Sequence, residues 1–173
     1  EYLVQLKQKS PIPVFGSPET LAGIAQEFHY MTYTLDMHEV APFSTVEFDG
    51  VTYTALPCTH AAGTYGYLIE TSDTRMFYAS DTGKLPPETA ERLQGIDILA
   101  MDATFWKRNW SPAAHHSVQE CIEEGLALDA GKIYLTHLCM HYDEPITLVE
   151  LEEYLKQYDG RVEAAHDGLS FAI

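Results

Sequence analysis

The sequence predicts an α/β fold in which mixed sheets are layered against helices. Two observations carry that reading. The first half of the chain holds β-rich runs joined across tight turns, the pattern of antiparallel hairpins. The second half alternates short apolar strands with amphipathic helices, and together the two halves indicate a layered mixed architecture. A length of 173 residues fits one domain, and an apolar content of 46% is enough to fill its core.

In chain order, "PIPVFG" (Pro11 to Gly16) reads as a short strand. Ser17-Pro18-Glu19 then starts a helix, with Ser as the cap and Pro at the first helical position, where its missing N–H is harmless. Leu21, Ile24, Ala25 and Phe28 give that helix an apolar stripe. "TVEFDGVTYTALP" is a hairpin around Asp49-Gly50. "YGYLIET" and "MFYAS" are two more strands, joined across Ser72-Asp73-Thr74. "PPETAERL" opens a helix, and "IDILAMDA" (Ile96 to Ala103) is a buried strand ending on Asp102. Ser117 and Glu120 form a capping box, which places His115 and His116 just before a helix N-terminus. "KIYLTHLCMH" is a strand running into His137, and "ITLVELEEYLKQY" is an amphipathic helix. "VEAAHDGLSFAI" closes the chain as a strand, a turn at Asp167-Gly168 and a last strand.

Charge narrows the partners. Lys and Arg number 10 against 26 Asp and Glu, for a formal charge of −16, and no Lys/Arg cluster interrupts it. Such a chain repels polyanions, so nucleic acid is not an expected partner. No apolar stretch approaches the roughly 20 residues of a membrane span, and the opening residues lack a signal-peptide pattern. A cytoplasmic location without membrane contact is therefore expected. Cys58, Cys121 and Cys139 show no CxxC pairing, which fits buried thiols in a reducing compartment. Eight histidines in an acidic chain are compatible with divalent metal.

The stretch "RMFYASDTG" (Arg75 to Gly83) offers one candidate ligand for such a metal. Its apolar run stops on Asp81. That carboxylate could simply start a turn. Two other buried strands end in the same way, however: "TALPCTH" on His60 and "KIYLTH" on His137. A lone histidine after a strand is ordinarily a loop residue. Three metal-ligand types at three strand ends are harder to dismiss, because a scaffold that fixes their rotamers is what a preorganised metal site needs. Imidazole nitrogen and carboxylate oxygen suit Zn²⁺, Mn²⁺ or Fe.

The order of "ALPCTHAAGTYGYLIET", "FYASDTGKLPPET", "ILAMDATF", "HHSVQE", "YLTHLCMH" and "HDGLSF" resembles the metallo-β-lactamase superfamily over nearly the whole chain. It is most similar to the branch holding the cyclic-phosphate phosphodiesterase of the carbon–phosphorus lyase pathway and the tRNA 3′-processing endonuclease. The resemblance implies the C-terminal part of an αββα sandwich. It implies that His60 binds one metal, that Asp81 bridges two and that His137 binds the second. It also implies that His116, beside the metals, handles protons. His60 to Asp81 and His116 to His137 are equally spaced, as the family's arrangement requires.

One departure is large. The family's His-x-His-x-Asp-His motif is absent, and His29, His38, His141 and His166 do not form it. The expectation is that residues 1–173 are one domain, N-terminally incomplete, of a longer hydrolase, and that alone it holds metal weakly and is inactive. Asp102 is expected to serve as a buried hydrogen-bonding carboxylate, His115 to be exposed or a neighbour of the helix cap, His141 to lie in a loop, and Cys139 to be a buried thiol. Trp106 and Trp110 would line a substrate pocket or an interface, and His166-Asp167-Gly168 would form a turn packed under the site.

The function expected of the complete enzyme is metal-dependent hydrolysis of a small phosphodiester. Two divalent cations, Zn²⁺ or Mn²⁺, would activate the attacking water. His116 and Asp81 would be its catalytic residues, with His60, Asp81 and His137 holding the metals. A small substrate is preferred to tRNA on charge grounds. The alternative is a non-catalytic or degenerate domain that binds a protein partner or self-associates as a homo-oligomer through surface that the missing strands would cover.

Overall fold

The structure is a computed structural model that describes residues 11–139 and 144–171. His141 lies outside the described residues. At Asp49-Gly50 both central residues take positive φ, 52° and 78°. That is the geometry of a two-residue hairpin whose twist matches its strands. It joins β3 (Thr45–Phe48) to β4 (Val51–Pro57), and β4 continues antiparallel to β5 (Tyr65–Glu70) and β6 (Arg75–Ala79). Pairing then changes to parallel through β7 (Ile98–Asp102), β8 (Lys132–Thr136) and β9 (Val162–Ala164). The result is one seven-stranded mixed sheet in sequential order β3 to β9.

Parallel neighbours need crossovers, and here these are helices. Counting α1 (Pro18–Glu27) as the first, α2 (Pro87–Arg92) links β6 to β7, α3 (Val118–Ala127) links β7 to β8, and α4 (Leu148–Leu155) links β8 to β9. With right-handed crossovers stepping in one direction, all three fall on the same face. There the core forms: Phe77, Leu99 and Ile133 from the strands pack with Leu93, Ile122 and Leu151 from the helical side, all fully buried. Side chains alternate along a strand, so Tyr53 and Tyr67 point to the opposite face. They line an apolar groove there, of about 330 Å³, with Phe15, Val40, Val46 and Phe48.

The N-terminal signals act as expected. Ser17 caps α1 by accepting the Thr20 N–H (3.2 Å), and the Ser117–Glu120 box caps α3; a Thr147–Glu150 box, not singled out in the sequence, caps α4. Two elements carried no periodic signal: a 3₁₀ segment (His29–Thr34) and β2 (Leu35–Glu39), which pairs in parallel only with β1 (Ile12–Gly16). The expected last strand is not formed over residues 169–171. The chain turns at Gly168 (φ 85°) and stacks Phe171 on Tyr134, ring centroids 5.0 Å apart, instead of extending the sheet.

Candidate metal centre

Asp81 and His137 are delivered by neighbouring parts of the sheet's C-terminal edge. Asp81 follows β6 after one residue, and Ser80 Oγ donates to its Oδ2 (3.0 Å). His137 directly follows β8 in the left-handed region (φ 57°). Few non-glycine residues adopt that conformation, and where they do it is often at a functional turn. It brings His137 Nε2 to 3.4 Å from Asp81 Oδ1. Both side chains remain accessible to solvent.

Hydrogen bonds fix the ring of His137. Thr104 Oγ1 donates its single proton to Asp102 Oδ1 (2.8 Å), so toward His137 Nδ1 (2.7 Å) it can only accept. Nδ1 therefore carries the proton, and in the neutral ring Nε2 presents its lone pair to a carboxylate oxygen. In that state two acceptors face each other at 3.4 Å. A divalent cation placed between them would satisfy both, so this donor set fits a metal.

Asp102, at the end of β7, is fully buried and holds the site together. Its Oδ1 accepts from the Thr104 N–H (2.9 Å), the Thr104 hydroxyl and the His116 N–H (3.3 Å). Its Oδ2 accepts from the Thr82 N–H (3.1 Å) and from His115 Nδ1 (2.6 Å). One ligand-type atom each from Asp81, Asp102, His115 and His137 lies within 4.8 Å of the others. The five donors already saturate Asp102, which suits it to orienting His115 better than to ligating a cation.

The structure brings Asp81 and His137 together, but His60 is not among the four clustered ligand-type residues; its ring packs edge-on to His115, with centroids 5.1 Å apart. The His60 turn is tied to the Asp81 turn: Thr59 N–H donates to Thr82 Oγ1 (3.2 Å), Gly83 N–H to the Thr59 carbonyl (2.8 Å), and Thr59 Oγ1 to the Lys84 carbonyl (2.5 Å). His115 takes the second of its two expected places, beside the helix cap rather than exposed. Its ring is mostly buried, bonded to Asp102 and stacked on His137, with centroids 5.4 Å apart and planes 12° apart.

His116 is not among these four ligand-type residues, although its backbone N–H donates to Asp102. It is buried, with Nδ1 2.8 Å from the Thr82 carbonyl oxygen and Nε2 2.8 Å from Glu124 Oε2. Burial opposes its charge, but the Glu124 bond and charge, the Thr82 carbonyl and Asp102 outweigh that and raise its pKa. Burial also pushes the Cys58 thiol up to about 11, with a smaller contribution from Asp81 against the lowering bonds of Thr82 and Gly66, so it stays protonated beside the site.

The loop between β7 and α3 contributes a residue that has no motif to mark it. Asn109 Nδ2 donates to the His115 carbonyl (2.7 Å) and to Glu120 Oε2 (2.6 Å), which fixes the segment entering α3. Gly83 lets this loop dock, because a Cβ there would lie 2.6 Å from the Pro112 carbonyl oxygen. Lys84, Asn109, His115 and His116 line a cleft of about 550 Å³ with Glu120 and Glu124. Neither tryptophan lines that cleft: Trp106 packs edge-on to Tyr154, and Trp110 is half-exposed under the Arg108 guanidinium at 3.8 Å.

Ligand types at strand ends, an outer carboxylate behind a histidine and a mixed sheet under three helices make a specific combination, and comparison with known proteins agrees with it. The beta-lactamase superfamily domain matches residues 2–138. The chain belongs to this superfamily. A diphosphatase from the PhnP family is 25% identical, with a TM-score of 0.77, over 96% of this chain and 59% of that one. Zn²⁺-bound PqqB from Methylobacterium extorquens is 18% identical (TM-score 0.75, 99% of this chain and 66% of that one). The short form of human tRNase Z is 15% identical (TM-score 0.68, 96% and 69%). The last two show the fold alone. This chain thus spans about 59% of the diphosphatase's length and 66% of PqqB's. No curated protein sequence matches it. Among the described residues no helix is long and apolar enough to cross a membrane.

Proposed function

We propose that this chain carries the metal-ligating and proton-handling half of a metal-dependent hydrolase for small phosphodiesters. The observation that carries the reading is the opposition of His137 Nε2 and Asp81 Oδ1 at 3.4 Å, with Nδ1 already committed to Thr104. Asp81, His137 and the nearby His60 are the residues that would hold divalent cations. Asp81 offers two oxygens, which suits a bridge, and Ser80 steadies one of them. When bound, such cations supply Lewis acidity and a water that deprotonates near neutral pH.

In this reading proton handling passes from His116 to His115. Both ring nitrogens of His116 are engaged by acceptors, so it has no atom to offer a substrate. His115 Nδ1 is held by Asp102, and no described residue bonds Nε2. Asp102 thereby keeps the proton on Nδ1 and leaves Nε2 to exchange a proton with the leaving oxygen. The likeness to a diphosphatase of the PhnP family supports a phosphoryl substrate, and the formal charge of −16 favours a small one over a polyanion.

The test is to titrate the chain with Mn²⁺ or Zn²⁺, measure stoichiometry, and assay hydrolysis of bis(p-nitrophenyl) phosphate. Metal binding that Asp81→Ala abolishes is the expected result. With only these ligands the chain is expected to be inactive, and a protein that also carries a His-x-His-x-Asp-His segment to hydrolyse the substrate. Absence of any metal binding, or binding indifferent to Asp81, would sink the proposal.

A further inference from the structure

His116 and Glu124 form a buried pair that the proposed chemistry leaves unused. Both groups facing the His116 ring are acceptors: the Thr82 carbonyl at 2.8 Å from Nδ1 and Glu124 Oε2 at 2.8 Å from Nε2. A neutral imidazole has one N–H and would turn a bare lone pair on one of them; the imidazolium satisfies both. Glu124 also accepts the Leu85 N–H (3.2 Å). The ring therefore joins three pieces of chain. Thr82 and Leu85 bracket the turn after Asp81, His116 enters α3, and Glu124 lies two turns inside α3. Thr82 extends the connection, since its N–H reaches Asp102 and its hydroxyl accepts from the His60 turn.

We infer that His116 is an imidazolium tie, clamped between Glu124 and the Thr82 carbonyl, that positions the Asp81 turn for metal. It is a positioning residue, acting through Thr82 on the neighbouring Asp81. The inference rests on the reading of Asp81 as a metal ligand. A tie of this kind explains why a charged group is tolerated in the core beneath the site: a paired, fully hydrogen-bonded ion fixes one arrangement of its partners, whereas removing one partner strands the other.

Two measurements decide it. In the metal-free wild-type chain, ¹⁵N spectra of the histidine rings at about pH 8, well above the usual histidine pKa of about 6.5, should show one buried ring with both nitrogens protonated. A bare nitrogen on His116 would overturn the tie. Cobalt binding, followed by its visible absorption, should then be about tenfold weaker in Glu124→Gln, the scale of effect for residues behind metal ligands. The circular dichroism of that variant should be unchanged, because Gln keeps the size and loses only the charge. Equal cobalt affinity in a folded Glu124→Gln would refute the positioning role. A parent that binds no cobalt would instead refute the metal reading of Asp81, and with it any positioning for metal, while the ring spectra alone would decide the tie.

Discussion

Replacing Asp102 with Asn tests the hub of the site, because the substitution keeps the shape and changes only what the oxygens can accept. The buried carboxylate takes five donors, and an amide offers one oxygen and two N–H groups. With the new NH₂ on the Oδ1 side, the Thr104 and His116 amides both lose their acceptor. With it on the Oδ2 side, only the Thr82 N–H is stranded, since His115 can respond by moving its proton to Nε2. The second arrangement is cheaper. It costs about 1–3 kcal/mol for one buried unsatisfied N–H, and about 1 kcal/mol more for charge assistance lost in the remaining bonds. The expected destabilisation is about 2–4 kcal/mol, a large share of a typical stability of roughly 5–15 kcal/mol. Urea unfolding should show a lower midpoint at unchanged slope, and Tm should fall by about 4–16 °C at roughly 2–4 °C per kcal/mol. The same change turns His115 Nε2 into a donor, so a hydrolytic rate should fall further than the lost stability explains. An Asp102→Asn protein within about 0.5 kcal/mol of the parent, the range of ordinary surface changes, would show that the five contacts do not hold the site.

Three further outcomes are expected. Gly83→Ala should destabilise by about 1–3 kcal/mol, the usual range for overpacking, because its Cβ would meet the Pro112 carbonyl oxygen at 2.6 Å; an unchanged urea midpoint would contradict that docking. Saturating Mn²⁺ or Zn²⁺, at about 100 times its Kd, should stabilise the chain by about 2.7 kcal/mol, and calorimetry should find no such shift in Asp81→Ala. The His116 pKa is raised in the folded chain, so its contribution is complete below the unfolded value of about 6.5 and disappears as pH rises through the folded value; Tm should therefore decline across that window more steeply in the parent than in Glu124→Gln.

Most of the fold was legible because its local signals agree with its tertiary needs. Asp49-Gly50, the Ser17 cap and the Ser117 capping box each sit where an element turns or begins. The elements missed lack such signals. Residues 35–39 alternate weakly and pair only with β1, so no buried face imposes a period on them. The closing segment has the composition of a strand, but Phe171 stacks on Tyr134, and β9 is only three residues long.

The site was legible along strands and illegible across the helix entry. Strand register fixes Asp102 opposite Thr136 and Ala79 opposite Met101, so the ends of β6, β7 and β8 lie side by side, and their polar residues must meet. Asp81 and His137 follow from that geometry; His60, read in the same way from the end of β4, is not in the four-residue cluster, whereas Asp102, read as a buried hydrogen-bonding carboxylate, is. His115 and His116 do not, because residues just outside a helix obey neither the strand period nor the helix period, and neighbours there can face opposite ways. What separates them is chemistry further along α3. Glu124 lies eight residues beyond His116 and captures its Nε2 at 2.8 Å. Asp102, from the sheet, captures His115 Nδ1 at 2.6 Å. In the proposed reading each histidine takes its role from its carboxylate: the one paired on a single nitrogen would remain able to exchange a proton, and the one bonded on both would be part of the frame.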